Sequence, residues 1–91
     1  MTDICLMAHI EGSVQGVGFR YHTRNKAIEL GIRGWVRNCP DGSVEACLCG
    51  GQNQIEAMKV WLAHGPNWAT VNAIRFSPFS PAENLNDFSI R

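Results

Sequence analysis

Two hydrophobic periods meet within the first thirty residues, and the join between them constrains the fold more than any other feature of the chain. Ile4, Leu6, Ala8 and Ile10 share one parity, while Cys5, Met7, His9 and Glu11 take the other, the pattern of a strand buried on one face. From Tyr21 to Leu30 the spacing changes. Thr23, Ala27 and Leu30 now fall on one helical face, with Gly31 in the C-cap position. Between the two runs lies GSVQGVGFR, residues 12–20, containing Gly12, Gly16 and Gly18 and ending in Arg20. An abrupt change from strand to helix needs backbone conformations that glycine adopts readily. Successive N–H groups can converge there, beside a helix N-terminus whose first N–H groups lack partners. Such a nest suits a phosphate or carboxylate, and Arg20 adds a planar fork able to bind two oxygens of one anion. The plainer reading is a glycine-rich turn with a solvated arginine. On these residues alone the two readings balance.

The remaining chain continues the alternation. IRGWVRN (32–38) and GSVEACLCG (42–50) read as strands joined across CPDG, where Pro40 and Gly42 supply turn chemistry. Asn53 with Glu56 resembles a capping box, opening a helix that buries Ile55, Met58 and Leu62 and ends at Gly65-Pro66. WATVNAIRF (68–76) reads as a fourth strand, SPFSPAENLND (77–87) as a loop and FSIR (88–91) as a short last strand. The order strand, helix, strand, strand, helix, strand predicts an α+β chain. Its expected form is the split βαβ, ferredoxin-like arrangement, an antiparallel sheet with two helices on one face plus a short C-terminal strand. Residues 1–91 read as a single domain.

Formal charge is zero, with 8 Lys and Arg against 8 Asp and Glu, and no basic stripe is visible, which argues against nucleic acid as a partner. No apolar run is long enough to span a bilayer. The start, MTDICLMAHIEG, lacks the basic n-region of a secretory signal, so a cytoplasmic location is expected, with no membrane partner. Familiar phosphate loops do not fit. Gly16-x-Gly18 lacks the third glycine of the dinucleotide fingerprint, and no Gly-Lys-Ser/Thr follows it.

GSVQGVGFR resembles the first signature of the acylphosphatase family, G-x-V-Q-G-V-x-F-R. GWVRNCPDGSVEACLCG, residues 34–50, resembles its second: an aromatic after glycine, an asparagine, then G-x-V and a closing glycine. The similarity runs the length of the chain, through GPNWATV to the terminal FSIR. The fold this implies is the one read from the periods. The activity it implies is hydrolysis of acyl phosphates, with a small-molecule substrate, no cofactor, no metal and a monomeric protein. Phosphoryl binding then falls on Arg20 and on the backbone of Gln15, Gly16, Val17, Gly18, Phe19 and Arg20. Positioning of the attacking water falls on Asn38. Without the first motif, Asn38 would read as a turn residue.

The four cysteines form neither a CxxC nor a zinc pattern. In the expected fold Cys5 opens the first strand and Cys49 closes the third, its antiparallel neighbour, so a disulfide is geometrically open. A cytoplasmic compartment favours thiols, and both states stay open. His9, His22 and His64 show no ligand spacing. Trp35 and Trp61 read as core; Trp68, just before the fourth strand, is open to partial exposure and a part in substrate access, with packing the simpler role. Two other classes compete with a freestanding enzyme. One is a phosphate- or carbamoyl-phosphate-binding module serving a partner, like the acylphosphatase-like domain heading the hydrogenase-maturation carbamoyltransferases; the initiating Met and the end soon after FSIR argue against it. The other, an RNA-binding module, lacks aromatics and basic residues on the central strands.

Overall fold

In the computed structural model, which describes residues 3–91, each expected strand and helix forms. The element order is β1 (Ile4–Ser13), α1 (Phe19–Leu30), β2 (Arg33–Asn38), β3 (Val44–Gly50), α2 (Gln52–His64), β4 (Thr70–Pro78) and β5 (Phe88–Ile90). The sheet order is β4-β1-β3-β2-β5. The first four strands pair antiparallel. β5 departs from the antiparallel expectation and joins β2 in parallel, with Trp35 opposite Ser89 and Val36 opposite Ile90. Because β1 and β2 both run against β3, they run with each other and finish at the same end of the sheet.

Side-chain parity explains the layers. The even-numbered Ala8, Ile10, Val36, Val44, Ala46 and Leu48 are buried beneath the helices, where they meet Phe19, Ala27, Ile55, Met58 and Leu62. Burial of each large member contributes about 1.5–3 kcal/mol, which is what fixes the register. The odd-numbered Cys5, Met7, Trp35, Cys47 and Cys49 face the other way. They are covered in part by Phe79 and Leu85, because residues 79–87 fold back across the open face rather than running free. Burial pushes the Cys47 thiol above its ordinary pKa.

Several boundaries differ from those read in the sequence. α1 begins two residues early, since Phe19 is 1% exposed and anchors the first turn in the core, where Trp61 lies with its ring centroid 6.3 Å away. α2 is capped at Gly51 rather than Asn53: Gln54 Oε1 accepts from Gly51 N–H at 2.7 Å. The same Gln54 donates through Nε2 to Leu30 O at 2.8 Å, so this choice of cap also ties α2 to the end of α1. Trp68 does not pack; it is 79% exposed in the turn before β4. At the far end of the central strands Cys5 and Cys49 stand opposite each other and are joined by a disulfide. Cys39 and Cys47 are free.

Candidate active site

The loop after β1 reaches helix geometry through two left-handed glycines. Gly16 and Gly18 both have φ of +77°, and Gly18 is the N-cap of α1 with no side-chain cap. A Cβ at either position would carry the 1–2 kcal/mol cost of the left-handed region. What the glycines achieve is a run of free donors. Among the described residues, the N–H groups of Gly16, Val17 and Gly18 donate to no protein acceptor, and those of Phe19 to Tyr21 belong to the unpaired first turn of the helix.

Parallel travel of β1 and β2 brings the end of β2 to this loop. Asn38, the last residue of β2, pairs with Val44 in the sheet register. The two ends are also stitched together: Gln15 Nε2 donates to both Cys39 O and Ser43 O, each at 2.8 Å. The turn it grips is braced from within. Asp41 Oδ1 accepts from Ser43 Oγ at 2.5 Å and from Ser43 N–H at 3.0 Å. These two hydrogen bonds, the hydroxyl's first, hold the Asp41 carboxyl below its ordinary pKa.

A pocket of about 160 Å³ opens where these parts meet. Gly16, Gly18, Arg20 and Asn38 line it together. Val14, Phe19, Tyr21 and Ile90 complete the wall. The Arg20 side chain makes no ion pair or hydrogen bond among the described residues. Asn38 Oδ1 is buried and accepts no hydrogen bond from any described residue. The pocket therefore brings together free N–H donors, an uncommitted guanidinium and an amide acceptor without a partner, a set of groups suited to an anion with a hydroxyl donor or water beside it. Among the described residues no three His, Cys, Asp or Glu side chains converge as a metal site.

Of the residues singled out in the sequence, Gly16, Gly18, Phe19, Arg20 and Asn38 line this pocket, whereas Gln15 and Val17 do not. Val17 packs against the core, and Gln15 acts through its side chain as a brace. His22 lies close under the loop, near the space a Cβ on Gly18 would fill. Two larger depressions lack this convergence. One, of about 500 Å³, sets Arg24 and Arg33 beside Asp87; the other, of about 330 Å³, is lined by Glu11, Asp41 and Ser43. Tyr21 and Ile90 were missed. Tyr21 had a signal, since it follows Arg20 on the first turn of the helix. Ile90 had none, because only the parallel docking of β5 brings it there.

Comparison with known proteins bears on what this pocket is. The acylphosphatase family profile matches residues 6–90. An acylphosphatase from Coxiella burnetii superposes with a TM-score of 0.91 at 37% identity, covering 98% of this chain and 93% of its own. The acylphosphatase from Bacillus subtilis gives 0.91 at 31% identity, covering 97% and 98%. T. kodakarensis HypF gives 0.86 at 28% identity, with 99% of this chain matching 12% of that one. A match spanning nearly the whole sequence, joined to the same fold over its full length, means that this chain belongs to the acylphosphatase family.

Proposed function

We propose that the protein is a metal-independent acylphosphatase that hydrolyses the carboxyl–phosphate bond of small acyl phosphates by direct attack of water on phosphorus. The observation that carries this reading is the pocket lined by Gly16, Gly18, Arg20 and Asn38, with the loop N–H groups and Asn38 Oδ1 left without partners among the described residues. Phosphoryl transfer depends chiefly on positioning and on meeting charge spread over the phosphoryl oxygens. Amides from Gly16 to Arg20 and the Arg20 guanidinium meet that charge. Asn38 Oδ1 accepts a hydrogen bond from water and holds it in line with the bond to be broken.

In the step itself a water oxygen forms a bond to phosphorus while the bond from phosphorus to the acyl oxygen breaks. The electron pair leaves with the carboxylate, whose parent acid has a pKa of roughly 4, so no general acid is required. Asn38 is no base at neutral pH. The water's proton passes to a phosphoryl oxygen or to solvent, and no phosphoenzyme forms.

The resemblance to a segment of the much longer HypF favours a second reading, a phosphate-binding module acting with a partner. One assay separates the two. Phosphate release from benzoyl phosphate is measured with a chelator present, for the unaltered protein and for Asn38→Ala. We expect turnover that survives the chelator and falls about 10²–10³-fold in Asn38→Ala, the usual consequence of removing one such polar group. No turnover by the folded protein would overturn the enzyme and favour the module; full turnover in Asn38→Ala would overturn the role of Asn38.

A further inference from the structure

We propose that Tyr21 and Ile90 form the acyl-side wall of the pocket and make the protein selective for acyl phosphates with a flat or apolar acyl group. This inference rests on the reading of the pocket as an acyl phosphate site. At roughly 30 Å³ per water, a volume of about 160 Å³ holds about five water-sized groups, enough for a phosphoryl group and its attacking water but not for a benzoyl group as well. With the phosphoryl group on the donors, the acyl group extends past the rest of the lining, which includes Tyr21 and Ile90.

The core does not account for these two side chains. Tyr21 is 53% exposed and Ile90 37% exposed, two large side chains that line the pocket without being buried by the core. Each is nevertheless held in place. The Arg24 guanidinium lies over the Tyr21 ring at 5.3 Å from its centroid, and His22 meets the ring edge-on at 5.5 Å. Ile90 is fixed by the pairing of β5 with β2, closed by Arg91 N–H donating to Val36 O at 2.8 Å. The arrangement presents ordered apolar surface at low entropic cost to the ligand. A benzoyl group gains ring and methyl contact there. A carbamoyl group, polar and small, gains little.

The test compares kcat/KM for benzoyl and acetyl phosphate in the unaltered protein, Tyr21→Ala, Tyr21→Phe and Ile90→Ala, with Val60→Ala as an exposed control on α2. Binding of the non-hydrolysable benzoylphosphonate and acetylphosphonate is measured by calorimetry alongside. We expect the preference for benzoyl over acetyl to fall about three- to tenfold in Tyr21→Ala, mainly through KM, on the scale of one aromatic contact. Ile90→Ala shifts it in the same direction, and Tyr21→Phe and Val60→Ala keep the original preference. An unchanged preference in folded Tyr21→Ala and Ile90→Ala would overturn the inference, as would an equal loss for both substrates. The phosphonates separate the two readings. Tyr21-dependent preference for benzoylphosphonate without turnover supports the acyl wall while overturning the enzyme. Turnover with no Tyr21-dependent preference does the reverse.

Discussion

Neighbouring residues of the loop carry separate duties, and their surroundings tell them apart. Phe19 is buried against the core and packs near Trp61, whereas the side chain of Arg20, one residue later, has no partner among the described residues and lines the pocket. A charge kept free at a helix entrance invites a test of whether its charge or its shape matters. Lysine would keep the charge but lose the planar fork that spans two oxygens of one anion. We expect Arg20→Lys to fold normally and to lose roughly 1.5–3 kcal/mol of transition-state binding, the worth of a charge-assisted hydrogen bond, or about 10- to 150-fold in kcat/KM. Competitive inhibition by inorganic phosphate checks this, because it should weaken in parallel. Inhibition as strong as in the unaltered protein would mean that Arg20 does not touch the phosphoryl oxygens.

At the scale of elements, the site depends on two strand ends meeting, and the part of this legible in sequence was the part governed by period. Alternation at Ile4 to Ile10 and the helical spacing of Thr23 and Ala27 are local patterns imposed by one buried face, so they place β1, α1 and the loop between them. Asn38 reaches the loop only because β1 and β2 run parallel, each against β3. Contacts chosen by distant partners were not legible. The three residues of β5 are too few to show a period, so its parallel pairing, and with it Ile90 at the pocket, has no local trace. The cap of α2 moved because Gln54 also reaches Leu30, a long-range gain that Asn53 and Glu56 do not offer. Gln15 was visible as a loop residue, yet its work is to bridge to Cys39 O and Ser43 O across the sheet end. Two neutral hydrogen bonds at about 0.5–1.5 kcal/mol each predict that Gln15→Ala loses about 1–3 kcal/mol in chemical denaturation. It should also lower kcat more than it weakens phosphate inhibition, because the amide nest survives while its alignment with Asn38 loosens. A loss of stability with kcat intact would reduce Gln15 to a structural tie.

For the whole molecule, the sheet separates what stabilises the chain from what operates on substrate. The pocket sits beyond the C-terminal end of β1. Cys5 and Cys49 lie towards the opposite end, five residues from the row of Ile10, Val44 and Asn38, or roughly 17 Å at 3.4 Å per residue, in a molecule 35 Å long. Their bond closes a loop with a sequence separation of 44, and constraining an unfolded chain over that span is worth about 4 kcal/mol in the chain-entropy picture, with about 2–4 kcal/mol typical in practice. Two thiols, from Cys39 and Cys47, should therefore titrate in the denatured protein before reduction, and four after it. Four at the outset would mean that the bond is open. In the Cys5→Ser, Cys49→Ser double variant, unfolding free energy should fall by about 2–4 kcal/mol. Turnover at 25 °C should persist, because a fold of ordinary stability, about 5–15 kcal/mol, tolerates that loss. The separation follows from geometry: the pocket is built from strand ends, a helix start and a turn, none of which touches the linked cysteines. If turnover fell in step with the loss of the bond while the protein stayed folded, the sheet would be transmitting strain along its central strands. The two ends would then have to be treated as one coupled unit.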